Sequence, residues 1–371
     1  MLSQRHAQEI QINHRSRWVA LLGRQDEPTD ALIDYCSFLS TALAEYCVQL
    51  DREQVSWYRM GSFRAFAKLW NQSVEWSERW VLLQYTALGW SRRGFSFRIL
   101  ISLIILKLRR VKCAIVFHDT RAYEGSRIVD RFRSLIQRWI MREAYRLADR
   151  SIFSLPIKNV RWLPTLSPKA SFISIGANLP ELKCQEPSSE LLTVAVFSIT
   201  GGEALAREVQ EIGQTLRHVS KNYKRLTLLL LGRNSKEAEP AMTVQLEGTI
   251  VRLEVLGVIS PNDVVRHLCA SDVMLFVRGT VSGTRSSALA GVACGLPIVG
   301  YHGYDTTFPI TEAGLALAPF GNLEALGRSL DRVLSDVNLR KELRLRSSRA
   351  HRQYFRWTKI AEEFVEVLEH A

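Results

Sequence analysis

Residues 282–301, with the sequence SGTRSSALAGVACGLPIVGY, contain a polar loop, a short helical pattern and the start of a strand. The loop is rich in Ser, Thr and Gly, and small apolar residues follow it. Gly295 and Pro297 predict the end of the helix and the start of the strand. A loop of this kind at a helix N-terminus favours an anion, because the first backbone N–H groups of a helix have no partner within it. The segment therefore predicts one unit of an α/β protein with an anion-binding loop.

The same alternation of strand and helix recurs along the chain. Runs that predict strands lie at 17–23, 80–85, 113–119, 150–155, 171–176, 191–199, 225–232, 251–257, 273–277 and 296–301. Helical spacing is found at 31–47, 128–149, 203–220, 261–270, 285–293 and 322–335. Alternating strands and helices predict parallel sheets covered on both faces. The polar, Pro-containing stretch 178–190 predicts a linker between two such units.

Length and composition are those of a globular protein with two domains, at 371 residues and 47% hydrophobic content. The polar N-terminal segment lacks the apolar stretch of a signal peptide. Six cysteines are scattered without a CxxC pair or metal-ligand spacing, which predicts reduced thiols and a cytoplasmic protein.

The net charge of +12 is concentrated in the first half of the chain, where residues 1–190 carry 28 Lys/Arg against 18 Asp/Glu. Such a surface suits a membrane or an anionic acceptor, and a solvated basic surface is the alternative. Within 95–112 the longest apolar or small run is Ile99–Leu106, far short of the ~20 residues that span a bilayer. We therefore expect a packed helix there, with peripheral contact to the inner face of a membrane as a second expectation. Nucleic-acid binding is disfavoured, because no recognition motif occurs.

The order of segments from residue 191 onwards resembles the GT-B glycosyltransferases, in particular their retaining, nucleotide-sugar-dependent GT4-like group. The resemblance rests on VFSITGG (196–202), LLLLGRN (228–234), VLGVISPNDVVRHLCASDVMLFV (255–277), residues 282–301, and FRWTKIAEEFVEVLEHA (355–371). The first half is similar more loosely, through VFHDT (116–120) and REAYRLADRSIFSL (142–155).

This resemblance implies an α/β GT-B fold, in which two Rossmann-like domains have parallel sheets facing across a cleft. It implies an acceptor-side domain over 1–182, a nucleotide-sugar-binding domain over 191–350, and a C-terminal helix over 351–371 that packs back towards the first domain. The implied activity is transfer of a hexose (EC 2.4) from a nucleotide sugar to an acceptor hydroxyl, with retention, in polysaccharide or glycoconjugate biosynthesis. The acceptor would be a saccharide or a lipid-linked saccharide.

The nucleotide sugar is a substrate, so the resemblance implies no cofactor, and the absence of a DxD-type motif implies no bound metal. Two other functions remain open: a catalytically silent GT-B protein that serves as a binding or assembly partner, and a sugar-nucleotide epimerase. The epimerase would act without any acceptor.

The resemblance also assigns residues to the two substrates. The donor-binding positions are Gly201, Gly202, Arg233, Gly257, Ser282, Gly283, Thr284, Arg285, Ser286 and Ser287. His118 and Arg285 are the predicted catalytic residues, and Gly23 with Arg24 are the predicted acceptor-side residues. A guanidinium suits a diphosphate because its forked donors match the phosphate oxygens.

Two departures from the family pattern bear on these assignments. Where the family has two glutamates on the donor loop and helix, this chain has Ser282 and Ala290, and no Arg or Lys lies in the turn after the strand at 191–199. SGTRSS is similar to a subgroup that carries Ser-x-Arg-Arg-Gly-Ser at this loop. The alternative interpretation is structural: Ser and Thr cap the helix, Arg285 lies in solvent, and His118 is a core residue.

Overall fold

A computed structural model describes residues 16–24, 30–123, 125, 127–164, 166–181 and 191–369. The chain divides into two compact units, which we call unit 1 (Met1–Ser174 with Trp357–Ala371) and unit 2 (Ile175–Arg356). Residues 182–190 of the predicted linker lie outside the described residues.

Unit 1 is built on a six-stranded parallel sheet. Its strands are β1 (Ser16–Leu22), β2 (Val48–Gln54), β3 (Trp80–Tyr85), β4 (Lys112–Phe117), β5 (Arg150–Phe153) and β6 (Ala170–Phe172), in the order β2-β1-β3-β4-β5-β6. The central strands are apolar on both faces, as expected for a parallel sheet covered by helices. The order reverses between β1 and β3, so the loops that follow these strands meet at one edge of the sheet.

Six helices of unit 1 are described. They are α1 (Ala31–Leu43), α2 (Trp57–Met60), α3 (Ser62–Gln72), α4 (Phe97–Leu108), α5 (Ile128–Leu147) and α12 (Trp357–Glu369), the last of these formed by the C-terminal segment.

The C-terminal helix α12 is tied to unit 1 by packing and by hydrogen bonds. The Trp357 ring lies 5.2 Å from Tyr35 and stacks on Phe38 at 5.8 Å. At its other end, the indole Nε1 of Trp80 donates to the carbonyl of Leu368 (2.8 Å), and that of Trp18 donates to Glu369 (3.2 Å). Helix α12 therefore packs against α1 and is hydrogen-bonded to β1 and β3, so it forms part of unit 1.

Unit 2 contains a second six-stranded parallel sheet. Its strands are β7 (Leu192–Phe197), β8 (Leu226–Leu231), β9 (Val251–Gly257), β10 (Val273–Thr280), β11 (Ile298–His302) and β12 (Leu315–Pro319), in the order β12-β11-β10-β7-β8-β9. This is the doubly wound Rossmann order, with its switch point between β7 and β10. The described helices are α6 (Glu203–Val219), α7 (Ser235–Leu246), α8 (Pro261–Cys269), α9 (Ser286–Ala293), α10 (Leu323–Ser335) and α11 (Val337–Ala350).

The predicted α/β class with parallel sheets is confirmed, and the predicted strands lie within a few residues of the observed ones. The sequence patterns missed β2 and β12, which are edge strands, together with the helices α2, α3, α7 and α11. An edge strand such as VQLDREQ exposes many of its side chains, so it carries polar residues and lacks the apolar run of a central strand. Helix α7 contains Pro240, and α11 has few apolar positions, which obscures helical periodicity in both.

The prediction of reduced cysteines is wrong for Cys269, which is disulfide-bonded, whereas Cys36, Cys47, Cys113 and Cys294 are free thiols. In the part of the chain that the structure describes, every helix is too short or too polar to cross a bilayer. The apolar segment of 95–112 forms α4, a helix of 12 residues.

Candidate functional site

In unit 2, three loops meet at the carboxyl edge of the sheet, on either side of the switch point. Arg278, near the end of β10, joins them: its Nε donates to Thr200 Oγ1 in the loop after β7, and its Nη1 donates to Ser287 Oγ in the first turn of α9, each at 3.3 Å. Ligands of open α/β sheets bind in the crevice at this point. The Arg278 guanidinium therefore links the loop after β7 to the start of α9, on the two sides of the crevice in which such sheets bind ligands.

A buried carboxylate lies behind this guanidinium. Glu208 on α6 is 1% exposed, and its Oε2 accepts a hydrogen bond from the backbone N–H of Thr200 at 2.8 Å. The bond holds the turn after β7 in place. It also keeps a negative charge near Arg278, which makes burial of that guanidinium less costly.

Three positive charges converge on the same place. Burial lowers the pKa of Arg278; Glu208 opposes that effect, and the guanidiniums of Arg285 and Arg233 lower the pKa further. Three like charges within electrostatic reach repel one another, so an anion bound among them would relieve that repulsion.

The loop of residues 282–285 does not cap the helix that follows it. Ser282 is buried, and its hydroxyl is 3.1 Å from that of Thr284, so these two groups bond to each other. Arg285 occupies the N-cap position of α9, and no side chain of a described residue caps this helix. The Ser/Thr capping alternative is therefore wrong for α9, and the first N–H groups of this helix have no side-chain acceptor among the described residues.

The predicted glycines after β7 and β8 shape the other wall. Gly201 lies beside Asn234, whose Nδ2 donates to the carbonyl of Ile199 at 2.8 Å. At Gly232, φ is +89° and a Cβ atom would lie 2.5 Å from Ser198 Oγ, so glycine alone fits there. Gly202 and the exposed Arg233 complete these two turns at the same edge of the sheet.

Gly257 is placed differently from the other predicted donor residues. It ends β9, the edge strand, and its carbonyl accepts from the N–H of Gly232 at 2.7 Å. A Cβ at this position would meet the side chain of Lys236, so α7 approaches it closely. The structure thus brings together Gly201, Arg233 and residues 282–287, whereas two strands, β7 and β8, separate the strand that ends at Gly257 from β10.

In unit 1, His118 directly follows β4. Its Nε2 lies 2.8 Å from Gln84 Oε1, and the Gln84 amide nitrogen donates to the carbonyl of Leu82, which leaves Oε1 as the acceptor. The imidazole therefore carries its proton on Nε2, and Nδ1 keeps a lone pair that no described residue occupies. Burial lowers the pKa of His118 to about 4, so the ring is uncharged at neutral pH.

Gly23 and Arg24 lie at the end of β1, beside the switch point of unit 1. A Cβ on Gly23 would lie 2.3 Å from the carbonyl oxygen of Gly89, and the N–H of Arg24 donates to that oxygen at 2.5 Å. The Arg24 guanidinium lies 5.4 Å from the Tyr58 ring. Gly23 thus permits close packing of two loops, and Arg24 extends over an aromatic surface.

Sequence analysis missed Arg278 and Glu208. The signal for Arg278 was its position directly after the predicted strand 273–277, at the edge where ligands bind. At the positions where glutamates were expected, Ser282 and Ala290 are both buried, and Ala290 packs in the apolar core of unit 2. The turn after β7 has no Arg or Lys of its own, and Arg278 from the neighbouring strand β10 donates to Thr200 in that turn.

No protein-family model matches the sequence, and no curated protein matches it significantly. Solved structures do match. Anabaena Alr3699/HepE, crystallised with UDP-glucose, is 14% identical, with a TM-score of 0.64 over 96% of this chain and 100% of that one. Sucrose-phosphate synthase from Thermosynechococcus elongatus is also 14% identical, with a TM-score of 0.64 over 96% of this chain and 99% of that one.

The lipopolysaccharide glycosyltransferase WaaG is 13% identical, with a TM-score of 0.61 over 95% of this chain and 100% of its own. These similarities extend over nearly the whole chain and define its fold. The protein has the GT-B fold of nucleotide-sugar glycosyltransferases, as the sequence motifs predicted.

Proposed function

We propose that this protein is a retaining glycosyltransferase, which moves a sugar from a nucleotide-sugar donor to an acceptor hydroxyl in polysaccharide or glycoconjugate assembly. The observation that carries the proposal is the cluster of Arg233, Arg278 and Arg285 around the uncapped N-terminus of α9. HepE, which is similar in fold, binds UDP-glucose, and this supports a nucleotide sugar as the anion.

The proposed chemistry places the donor diphosphate at the arginine cluster. Charge develops on the diphosphate as the glycosidic bond breaks, and fixed positive groups stabilise that charge more in the transition state than before it. Arg285, exposed and without an ion pair to any described residue, is the proposed catalytic guanidinium, while Arg278 anchors the loops. The N–H groups of Ser286 and Ser287 would add helix-dipole stabilisation.

His118 is the proposed catalytic residue of unit 1. Its neutral ring offers Nδ1 as an acceptor for a sugar hydroxyl, while Gln84 holds the ring orientation through Nε2. Gly23 and Arg24 remain the proposed acceptor-side residues.

The function is tested with a panel of UDP, GDP and ADP sugars. We expect one class to raise the melting temperature, because a ligand that binds only the folded state stabilises it. Release of the nucleoside diphosphate is then measured with and without candidate acceptor saccharides. Failure of every nucleotide sugar to bind would contradict the proposal.

The same panel separates the alternatives. Donor binding without release under any condition would favour the silent GT-B partner, which would keep its protein contacts when Arg285 is replaced. Turnover of the sugar without an acceptor, seen as an epimerised product, would favour the epimerase. Release that depends on an acceptor supports the transferase alone.

We also propose that unit 1 contacts an anionic membrane surface through α3, α4 and α5. Apolar side chains on these helices are exposed, including Phe63 (87%), Leu108 (67%), Phe132 (58%) and Trp139 (50%). The helices are neighbours, since Phe97 on α4 lies 6.2 Å from Trp139 and Arg109 lies 4.9 Å from the Trp70 ring. Neither α3 nor α4 contains an acidic residue, and Arg64 and Lys68 are exposed on α3, which matches anionic lipid headgroups.

Co-sedimentation with vesicles checks this contact. The double variant Phe63→Ser/Phe132→Ser should bind phosphatidylglycerol-containing vesicles at least about tenfold more weakly, because each Phe contributes about 1.5–3 kcal/mol when buried. The control is Leu345→Ser, which removes a side chain that is 68% exposed on α11 of unit 2. Equal binding by both variants, or binding unaffected by ionic strength, would rule the contact out.

A further inference from the structure

Unit 1 contains a cavity that the donor chemistry does not use. It has a volume of about 500 Å³ and is formed by residues 57–62, which follow β2, and residues 91–98, which follow β3. These two strands flank β1, so the cavity lies at the carboxyl edge of the sheet, next to Arg24. This is the edge at which parallel α/β sheets bind ligands.

The lining of the cavity is cationic and aromatic. Three arginines line it (Arg92, Arg93 and Arg98), and its lining includes no acidic residue. None of the three forms an ion pair with a residue in the described part of the chain. Three guanidiniums without carboxylates around one cavity leave a positive charge that an anionic ligand would neutralise.

Two of the arginines are held in place by aromatic rings. Arg98 lies 4.1 Å from the ring of Trp57, and its Nε donates to Ser62 Oγ at 3.1 Å. Arg92 lies 4.2 Å from the Tyr58 ring. Such stacking fixes the guanidinium planes and reduces the entropy lost when they bind a phosphate.

Two observations indicate that the cavity is poised for an anion. The Trp57 ring lines the cavity and lies 4.1 Å from the Arg98 guanidinium, which keeps this charge at the cavity wall. Burial lowers the pKa of Arg98, and repulsion from the Arg92 guanidinium lowers it further. Bringing like charges together at this position costs free energy that a bound anion would return.

We propose that this cavity binds a phosphate group of the acceptor, so that the acceptor is a phosphorylated saccharide or a saccharide linked through phosphate to a lipid. The proposal rests on the proposed transferase function. A forked guanidinium pair matches phosphate geometry, and the aromatic rings supply apolar surface for the group attached to the phosphate. Helices α3 and α4, which carry the exposed apolar side chains described above, also form part of the cavity wall through Ser62 and Arg98.

The chain offers a selective probe for this cavity. All nine tryptophans lie in unit 1, and Trp57 lines the cavity, so intrinsic fluorescence reports on ligands of unit 1. The full-length protein is titrated with inorganic phosphate, glucose 1-phosphate and geranyl phosphate, which represent the bare anion, the saccharide and the lipid. We expect one of the two organic phosphates to bind more tightly than inorganic phosphate.

Variants then locate the site. Arg92→Met and Arg98→Met should each weaken binding of that organic phosphate by about 10- to 100-fold, since a hydrogen bond to a charged group contributes about 1.5–3 kcal/mol. Arg92 is exposed, so its variant tests the site even if the Arg98 variant loses its fold. The matched control is Arg225→Met, an exposed arginine just before β8 at the opposite edge of the unit 2 sheet.

A crossed measurement separates this proposal from the donor site. Nucleotide-sugar binding, followed by calorimetry, should be unchanged in Arg92→Met and weakened in Arg278→Met, whereas organic phosphate binding should show the reverse. Loss of organic phosphate binding in Arg278→Met alone would overturn the cavity assignment. Equal affinity for all three phosphates would overturn its role as an acceptor site, whatever the outcome of the nucleotide-sugar panel.

Discussion

Replacement of Arg278 by methionine is expected to weaken nucleotide-sugar binding by about 100-fold. Arg278 is the guanidinium that links the turn after β7 to the first turn of α9, and its neighbours Arg233 and Arg285 make its surroundings strongly positive. Loss of one charge-assisted contact costs about 1.5–3 kcal/mol, and displacement of both loops adds to that cost. Isothermal titration calorimetry with the donor identified in the panel measures the change.

Controls for Arg278→Met must separate binding from folding. Removal of the guanidinium leaves buried Glu208 without its cationic neighbour, so the double variant Arg278→Met/Glu208→Gln tests whether a loss of stability explains the result. Arg278→Lys should retain part of the affinity, because it keeps the charge but loses the fork. If Arg278→Met and the control Arg225→Met both bind the donor as tightly as the wild type, the donor does not bind at Arg278.

Replacement of Trp357 by alanine is expected to destabilise unit 1 by about 3–5 kcal/mol, the usual cost of truncating a buried tryptophan. Trp357 is 7% exposed and packs against Tyr35 and Phe38 on α1. Tyr35 in turn lies 4.8 Å from the His118 ring, so the change should also loosen the surroundings of the proposed catalytic histidine. Urea-induced unfolding followed by tryptophan fluorescence measures unit 1 selectively.

Trp139→Ala provides the matched control, because Trp139 is 50% exposed on α5. Its removal should change the free energy of unfolding by less than about 1 kcal/mol. Similar losses of unfolding free energy in the two variants would show that the signal changes because a tryptophan is missing and not because packing is lost. Hydrogen exchange of the α1 backbone would then measure the stability of unit 1 directly. A stable α1 in Trp357→Ala would contradict the proposed dependence of unit 1 on α12.

Sequence periodicity predicted the central strands well because a parallel sheet buries both faces of its middle strands. β3 and β8 are short, mostly apolar runs, which are typical of buried central strands. The edge strand β2 instead carries four polar residues in a row after Leu50. The order of the strands in each sheet is set by contacts between distant segments, so local patterns did not predict it; the resemblance to a known fold implied only two domains with parallel sheets.

At the candidate site, sequence predicted the loop and missed its anchor. Arg285 lies within a quoted motif, whereas Arg278 acquires its role only when β10 is placed beside β7, which joins residues far apart in the chain. Capping also could not be settled from sequence, since Ser282 and Thr284 have the composition of caps yet bond to each other. The cavity of unit 1 is likewise formed by two loops, residues 57–62 and 91–98, that contain no recognisable motif, so sequence did not predict it.

The return of α12 to unit 1 has a consequence for synthesis on the ribosome. The indoles of Trp18 and Trp80, translated early, find their acceptors at Glu369 and Leu368, which are translated after all of residues 175–356. Unit 2 is contiguous in sequence and can fold as soon as it leaves the exit tunnel. Unit 1 is translated first but lacks α12 until the end of synthesis, so the apolar side chains that pack against this helix stay exposed until then. A nascent chain of this architecture is thus most vulnerable to aggregation just before its final helix emerges.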